Sequence, residues 1–147
     1  MKKLQSLRDH LTAKIPALAA NPDKLLVFAE EGEVQDTPRT EHLSYQYAYT
    51  ATLVLTDFSG VPNLLMAHII AWLKLNQPDR GERKALDFSA EILSNSEVDI
   101  EIRIPLTEFI QVTETDGTLT AETKAEVIYT PDFIEDDTSS EWRQHNV

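Results

Sequence analysis

Leu43-Ser44-Tyr45-Gln46-Tyr47-Ala48-Tyr49-Thr50-Ala51-Thr52-Leu53-Val54-Leu55-Thr56 decides the fold. Leu43, the three tyrosines, Ala51, Leu53 and Leu55 take alternate positions, with Ser44, Gln46, Ala48, Thr50, Thr52, Val54 and Thr56 between them. Successive side chains of an extended chain point to opposite faces, so this period specifies a long strand with one buried face. Tyr45, Tyr47 and Tyr49 read as a core row, because their phase continues into Leu53 and Leu55. Three tyrosines spaced by two also suit a partly exposed contact surface.

Upstream, Leu4, Leu7, Leu11, Ile15 and Leu18 step by three and four, which predicts a first helix with one apolar stripe. Pro16 disfavours helical geometry at Ile15, so the helix ends or kinks there. A strand from Lys24 to Phe28 or slightly beyond is expected next, turning at Glu31-Gly32, with a loop from Gln35 to His42. Downstream, Asp57-Phe58-Ser59-Gly60 ends the long strand and Pro62 opens a second helix running to Leu75.

The remainder reads as a meander. Leu86, Phe88, Ala90 and Ile92 alternate with polar groups, then Val98, Ile100, Ile102, Ile104 and Leu106 do the same. Pro105 lacks an N–H and marks a bulge or an edge stretch. Asp116-Gly117 is a hairpin signal between Ile110–Val112 and a weaker strand from Leu119 to Val127. The class is therefore α+β: a mostly antiparallel sheet of four to five strands, with two helices packed mainly on one face. Residues 1–129 are expected to form one domain and residues 130–147 a mobile acidic tail.

Composition narrows function. The 147 residues carry 13 Lys+Arg against 25 Asp+Glu, hence −12, which repels nucleic acid and anionic lipid. Residues 1–30 hold five basic and three acidic groups (+2), leaving eight and 22 (−14) downstream. Polar residues from Gln5 to His10 interrupt any signal peptide, and no apolar run is long enough to span a bilayer, so a cytoplasmic protein without membrane contact is expected. Cysteine is absent, which removes disulfides and thiol nucleophiles.

Chemistry-bearing patterns are weak. The four glycines lie far apart, excluding phosphate-cradling loops. The four histidines never take a metal-ligand spacing. Ser59 lacks the flanking glycines of a nucleophile elbow. Asp87, Glu91, Asp99 and Glu101 could form paired acids but sit at outward strand positions, as a solvated face does. Glu135-Asp136-Asp137 lacks the ligand pattern of a calcium loop. A small hydrolase is accordingly the weakest reading. No catalytic residue, metal or cofactor is expected.

The second helix is apolar nearly all round. Leu65, Ile69 and Trp72 form one stripe; Leu64, His68, Ala71 and Leu75 form another, either covered by the first helix or left for another subunit. Leu64, His68, Ala71 and Leu75 are thus the candidate subunit interface. Arg80, Arg83 and Lys84 form a basic loop suited to an acidic partner.

Several segments together resemble a known family. These are Asn21-Pro22-Asp23-Lys24-Leu25, Leu43 to Tyr49, Leu55 to Gly60, Trp72-Leu73-Lys74-Leu75-Asn76-Gln77-Pro78-Asp79, Glu91-Ile92-Leu93-Ser94-Asn95-Ser96 and Asp116-Gly117. The chain is similar, from residue 1 to about residue 120, to the tail completion protein R (GpR) family of contractile-tailed temperate phages. The loop from Arg80 to Ala85 looks shorter than in other members, and the end after Thr130 diverges.

The resemblance implies a structural protein without catalysis or cofactor that finishes the tail and supports its joining to the head. Counterparts in other phages are ring-forming tail terminators, commonly hexameric. The implied partners are the tail tube, neck or head-completion proteins and sister copies, but not nucleic acid or membrane. The implied location is the host cytoplasm during assembly and then the virion tail, from a phage or a prophage. A second reading, motivated by charge alone, is an acidic nucleic-acid mimic that inhibits a host enzyme.

Overall fold

A computed structural model describes residues 1–81 and 85–125. The expected tail and the boundary at residue 129 lie outside the described residues, as do positions 126 and 127 of the last expected strand. The chain runs α1 (Lys2–Lys14), α2 (Pro16–Ala20), a 3-10 turn (Pro22–Lys24), β1 (Leu25–Gln35), β2 (Tyr45–Phe58), α3 (Pro62–Asn76), β3 (Asp87–Ile92), β4 (Val98–Thr115) and β5 (Thr118–Lys124). Among the described residues one five-stranded sheet forms in the order β1-β2-β4-β3, with β5 also on β4, and every pairing is antiparallel. The fold is α+β. It has three α-helices among the described residues because Ile15, held extended at φ −108° and ψ 112° ahead of Pro16, splits the first expected helix in two.

The register confirms the alternation that specified β2. Tyr49, Ala51, Leu53 and Leu55 face Leu106, Ile104, Ile102 and Ile100 of β4, and all eight are buried under the helices. Leu7, Leu11 and Leu18 from α1 and α2, and Leu65, Ile69, Trp72 and Leu73 from α3, close the core. The tyrosine row enters it gradually: Tyr49 is buried, whereas Tyr45 and Tyr47 are half-buried, edge-on at 5.2 Å, with hydroxyls 3.3 Å apart.

Glu31-Gly32 does not end β1. Glu30 pairs with Thr50 and Glu33 with Ala48, so two residues oppose Tyr49 alone, a bulge that lets the strand continue to Gln35. Glu31 takes φ 54° to make it. Gly32 lies where an added Cβ would come 3.6 Å from Tyr49 Cβ. At the other hairpin Asp116 (φ 53°) and Gly117 (φ 81°) form the two-residue turn that the Asp-Gly pair predicts, with Thr115 paired to Thr118.

Pro105 makes no bulge, since β2 and β4 stay in register from Tyr45/Ile110 to Leu55/Ile100. Instead β3 leaves β4 at Arg103 and β5 joins it at Phe109, so among the described residues the outer edge of β4 between them has no strand partner. Pro105 stands on that open edge, where its missing N–H costs nothing. Two residues on, the Thr107 N–H donates to Gln77 Oε1 at 3.1 Å, and Lys3 Nζ donates to the Thr107 carbonyl and to Gln77 Oε1, each at 2.6 Å. Gln77 Nε2 donates to Thr107 Oγ1 at 3.0 Å, pinning the end of α3 to the same edge.

Glu108 is the one buried acidic side chain among the described residues, at 1% exposure. Its position follows from phase: it continues the inward row of Ile102, Ile104 and Leu106. Its carboxylate accepts the N–H groups of Lys2 (3.0 Å) and Lys3 (3.2 Å) and a short hydrogen bond from the Tyr49 hydroxyl. A carboxylate from the sheet thereby serves the bare N–H groups and positive dipole end of α1. Glu108→Ala leaves these donors without an acceptor, costing about 2–4 kcal/mol and lowering Tm by roughly 5–15 °C in thermal unfolding followed by circular dichroism. A shift within about 1 °C would show that Glu108 does not hold α1.

Candidate functional site

α3 forms because Pro62 presets its first turn and the following run lacks glycine. It stops as Gln77, just ahead of Pro78, leaves helical geometry. α1 lies along one flank: Trp72 Nε1–H donates to Ser6 Oγ at 3.0 Å, and His10 Nε2 sits 3.1 Å from the His68 carbonyl oxygen. That oxygen can only accept, so Nε2 carries the proton. The two imidazoles are edge-on at 6.0 Å.

Of the four stripe residues, α1 partly covers His68 and leaves the others in solvent. Leu64 is 58% exposed, Leu75 84% exposed, and Ala71 lies open between them. Of the two alternatives left open by the sequence, cover by the first helix holds at His68 alone.

The basic loop is only partly visible. Arg80 is half-buried and the Gly81 N–H donates to Asp79 Oδ1 at 2.9 Å, while Arg83 and Lys84 lie outside the described residues. The structure joins Arg80 instead to Lys2, Lys3 and Lys124, which line a notch along the bare edge of β4. Sequence reasoning missed this grouping because the four cations come from three distant segments.

β3 corrects another expectation. Phe88, Ala90 and Ile92 pair with Ile102, Ile100 and Val98 and so lie on the helix side of the sheet, as their alternation predicted. Yet no helix among the described residues covers them, and Phe88 and Ile92 are 62% and 82% exposed. The outer edge of β3 also lacks a partner among the described residues. On the opposite face Leu26 and Phe28 are exposed beside the half-buried Val54. The signal for that patch is the unbroken run Leu25-Leu26-Val27-Phe28, which puts apolar groups on both faces of β1.

Asp87, Glu91, Asp99 and Glu101 share this opposite face; Glu91, Asp99 and Glu101 line one shallow groove with Val54, Thr56 and Ser89, and Asp87 lies outside it. Asp99 Oδ1 accepts the Asp57 N–H at 2.8 Å, and Glu101 pairs with Arg103 at 3.0 Å. Among the described residues no three His, Asp or Glu side chains gather as a metal site. The notable surfaces are apolar and, among the described residues, uncovered: a helix flank, an edge strand and a strip on the open face. Such surfaces suit docking more than bond-making chemistry.

Residues 1–127 match the family described as P2 phage tail completion protein R (GpR). The chain is 40% identical over 124 residues to tail completion protein R of Escherichia phage P2, covering 81% of this chain and 79% of that one. No solved structure matches.

The His10–His68 contact is testable by pH. Burial lowers the pKa of His10, partly opposed by its hydrogen bond to the His68 carbonyl, while the His68 ring and Lys14 lower it further. A depressed folded pKa means that the unfolded chain binds the proton more readily. Stability is then full above about pH 6.5 and falls as pH drops through and below that value. The expected result is a Tm loss between pH 7.5 and 5.5 that is smaller in His10→Gln. An equal loss in both proteins would place the effect elsewhere.

Proposed function

The chain belongs to the P2 phage tail completion protein R (GpR) family, and from that footing we propose that it is a non-catalytic component of the virion tail that ends the tube as a ring of identical subunits. The partners on this reading are the tube end, the neck or head-completion proteins and sister copies. Stable head-tail joining is the outcome.

The observation that carries the proposal is the pair of uncovered apolar surfaces on different elements. One is the α3 flank of Leu64, Ala71 and Leu75; the other is β3 with Phe88 and Ile92, whose outer edge has no partner among the described residues. A closed ring needs two unlike side surfaces on each subunit. A net charge of −12 opposes premature association of free copies, so the isolated protein is expected to be a weakly associating monomer until the tube end supplies a template. The competing reading, an acidic nucleic-acid mimic acting on a host enzyme, draws only on that charge.

Deleting the gene should give lysates in which electron microscopy finds unjoined heads and tails or tails of irregular length. Infectious particles with normal joints would contradict the proposal. At residue level, Leu75→Lys and Ile92→Lys alter exposed side chains, so each should leave stability within about 0.5 kcal/mol of the parent. Infectious titre in a complementation assay should nevertheless fall at least about tenfold, the effect of losing roughly 1.4 kcal/mol at one contact. Unchanged titre with both substitutions together would remove α3 and β3 as side contacts.

A further inference from the structure

The notch on the bare edge of β4 concentrates positive charge in an acidic protein. Lys2, Lys3, Arg80 and Lys124 line it, four of the chain's 13 Lys+Arg. Its two acidic lining groups are already engaged: Glu108 by α1 and Tyr49, and Asp79 by the Gly81 N–H. Between the cations stand apolar groups, above all the open side chain of Leu75 with Pro78 and Phe109 beside it. A ligand matched to this lining is an acidic segment with large apolar side chains.

The chain itself supplies one. β5 runs antiparallel to β4, and its last pair is Lys124 with Phe109, so the chain leaves β5 heading along β4 toward Glu108 and Thr107, into the notch. Ala125, where the described chain stops, is already part of the lining. Asp132-Phe133-Ile134-Glu135-Asp136-Asp137 follows seven residues later and holds four acids around two large apolar residues. Seven residues span at most about 25 Å, enough to place this segment on Leu75 and Arg80 from its own chain. Residues 130–147 carry five acids and one Arg, net −4, opposite in sign to the notch.

We propose that residues 132–137 seat in this notch within the same chain, with carboxylates against Lys2 and Arg80 and Phe133-Ile134 against Leu75. The segment lies beyond residue 127, where the family match ends. Because Leu75 is also part of the α3 flank, a seated segment covers that flank in the free subunit. That consequence rests on the ring proposal; the seating itself does not.

The absence of cysteine allows a direct test on the full chain. Ser139→Cys, carrying a nitroxide label on a 15N-labelled protein, should broaden the amide signals of Lys2, Leu75 and Arg80 at least about twofold relative to Val34 and Phe88. The broadening should vanish at about 0.5 M NaCl, where screening acts within about 4 Å. It should vanish also in a chain that adds Asp132→Asn, Glu135→Gln, Asp136→Asn and Asp137→Asn. Broadening that is absent, uniform or indifferent to salt and neutralisation overturns the proposal. So does broadening that appears only when label and 15N reside on different copies. The measurement uses the isolated protein, so its failure leaves the tail role untouched.

Discussion

β4 pairs with two short strands that never meet. β3 covers it through Arg103 and β5 from Phe109 onward, so among the described residues no strand pairs with the edge between them. Backbone polar groups in such a position need partners, and the helical layer provides them. Gln77 at the end of α3 and Lys3 at the start of α1 converge on Thr107, and one residue on, inward-facing Glu108 takes the first N–H groups of α1. Both long helices are thereby fixed to the sheet at one place, and the packing of Leu7, Leu11, Leu65 and Ile69 over β2 follows from that reference point.

Fixing the helices there determines what remains bare. Their cover reaches β1, β2 and β4, whereas Phe88 and Ile92 on β3 stay in solvent, as do the ends of the α3 flank. An exposed apolar edge strand ordinarily invites pairing with any other edge. Here Asp87 and Glu91 flank it and the chain as a whole carries −12, so random encounters are opposed while a shaped and charged platform is not. The selective assembly proposed above relies on that combination of apolar surface and repulsive field.

Much of this was legible in the sequence because local periods carry it. The alternation from Leu43 to Thr56, the split at Ile15-Pro16 and the Asp116-Gly117 turn each depend on neighbours within a few residues, and each was found as expected apart from the exact start of β2 at Tyr45. The bulge at Glu31-Gly32 was read as a turn because glycine serves both, and only the register with β2 tells them apart. The exposure of β3 was hidden for a related reason: period states which face a side chain takes, but not whether a helix lies over that face. Glu108 and the cation-lined notch depend on residues about a hundred positions apart, a distance at which no spacing pattern speaks.

The central claim is that this subunit works by presenting complementary surfaces to its own copies at the end of a tail. Cryo-electron microscopy of the head-proximal end of purified virion tails tests it most directly. The account predicts a closed ring of this chain in which α3 of one copy lies against β3 of the next. Tails in which the chain is absent from that end, or present with both α3 and β3 facing solvent, would contradict it.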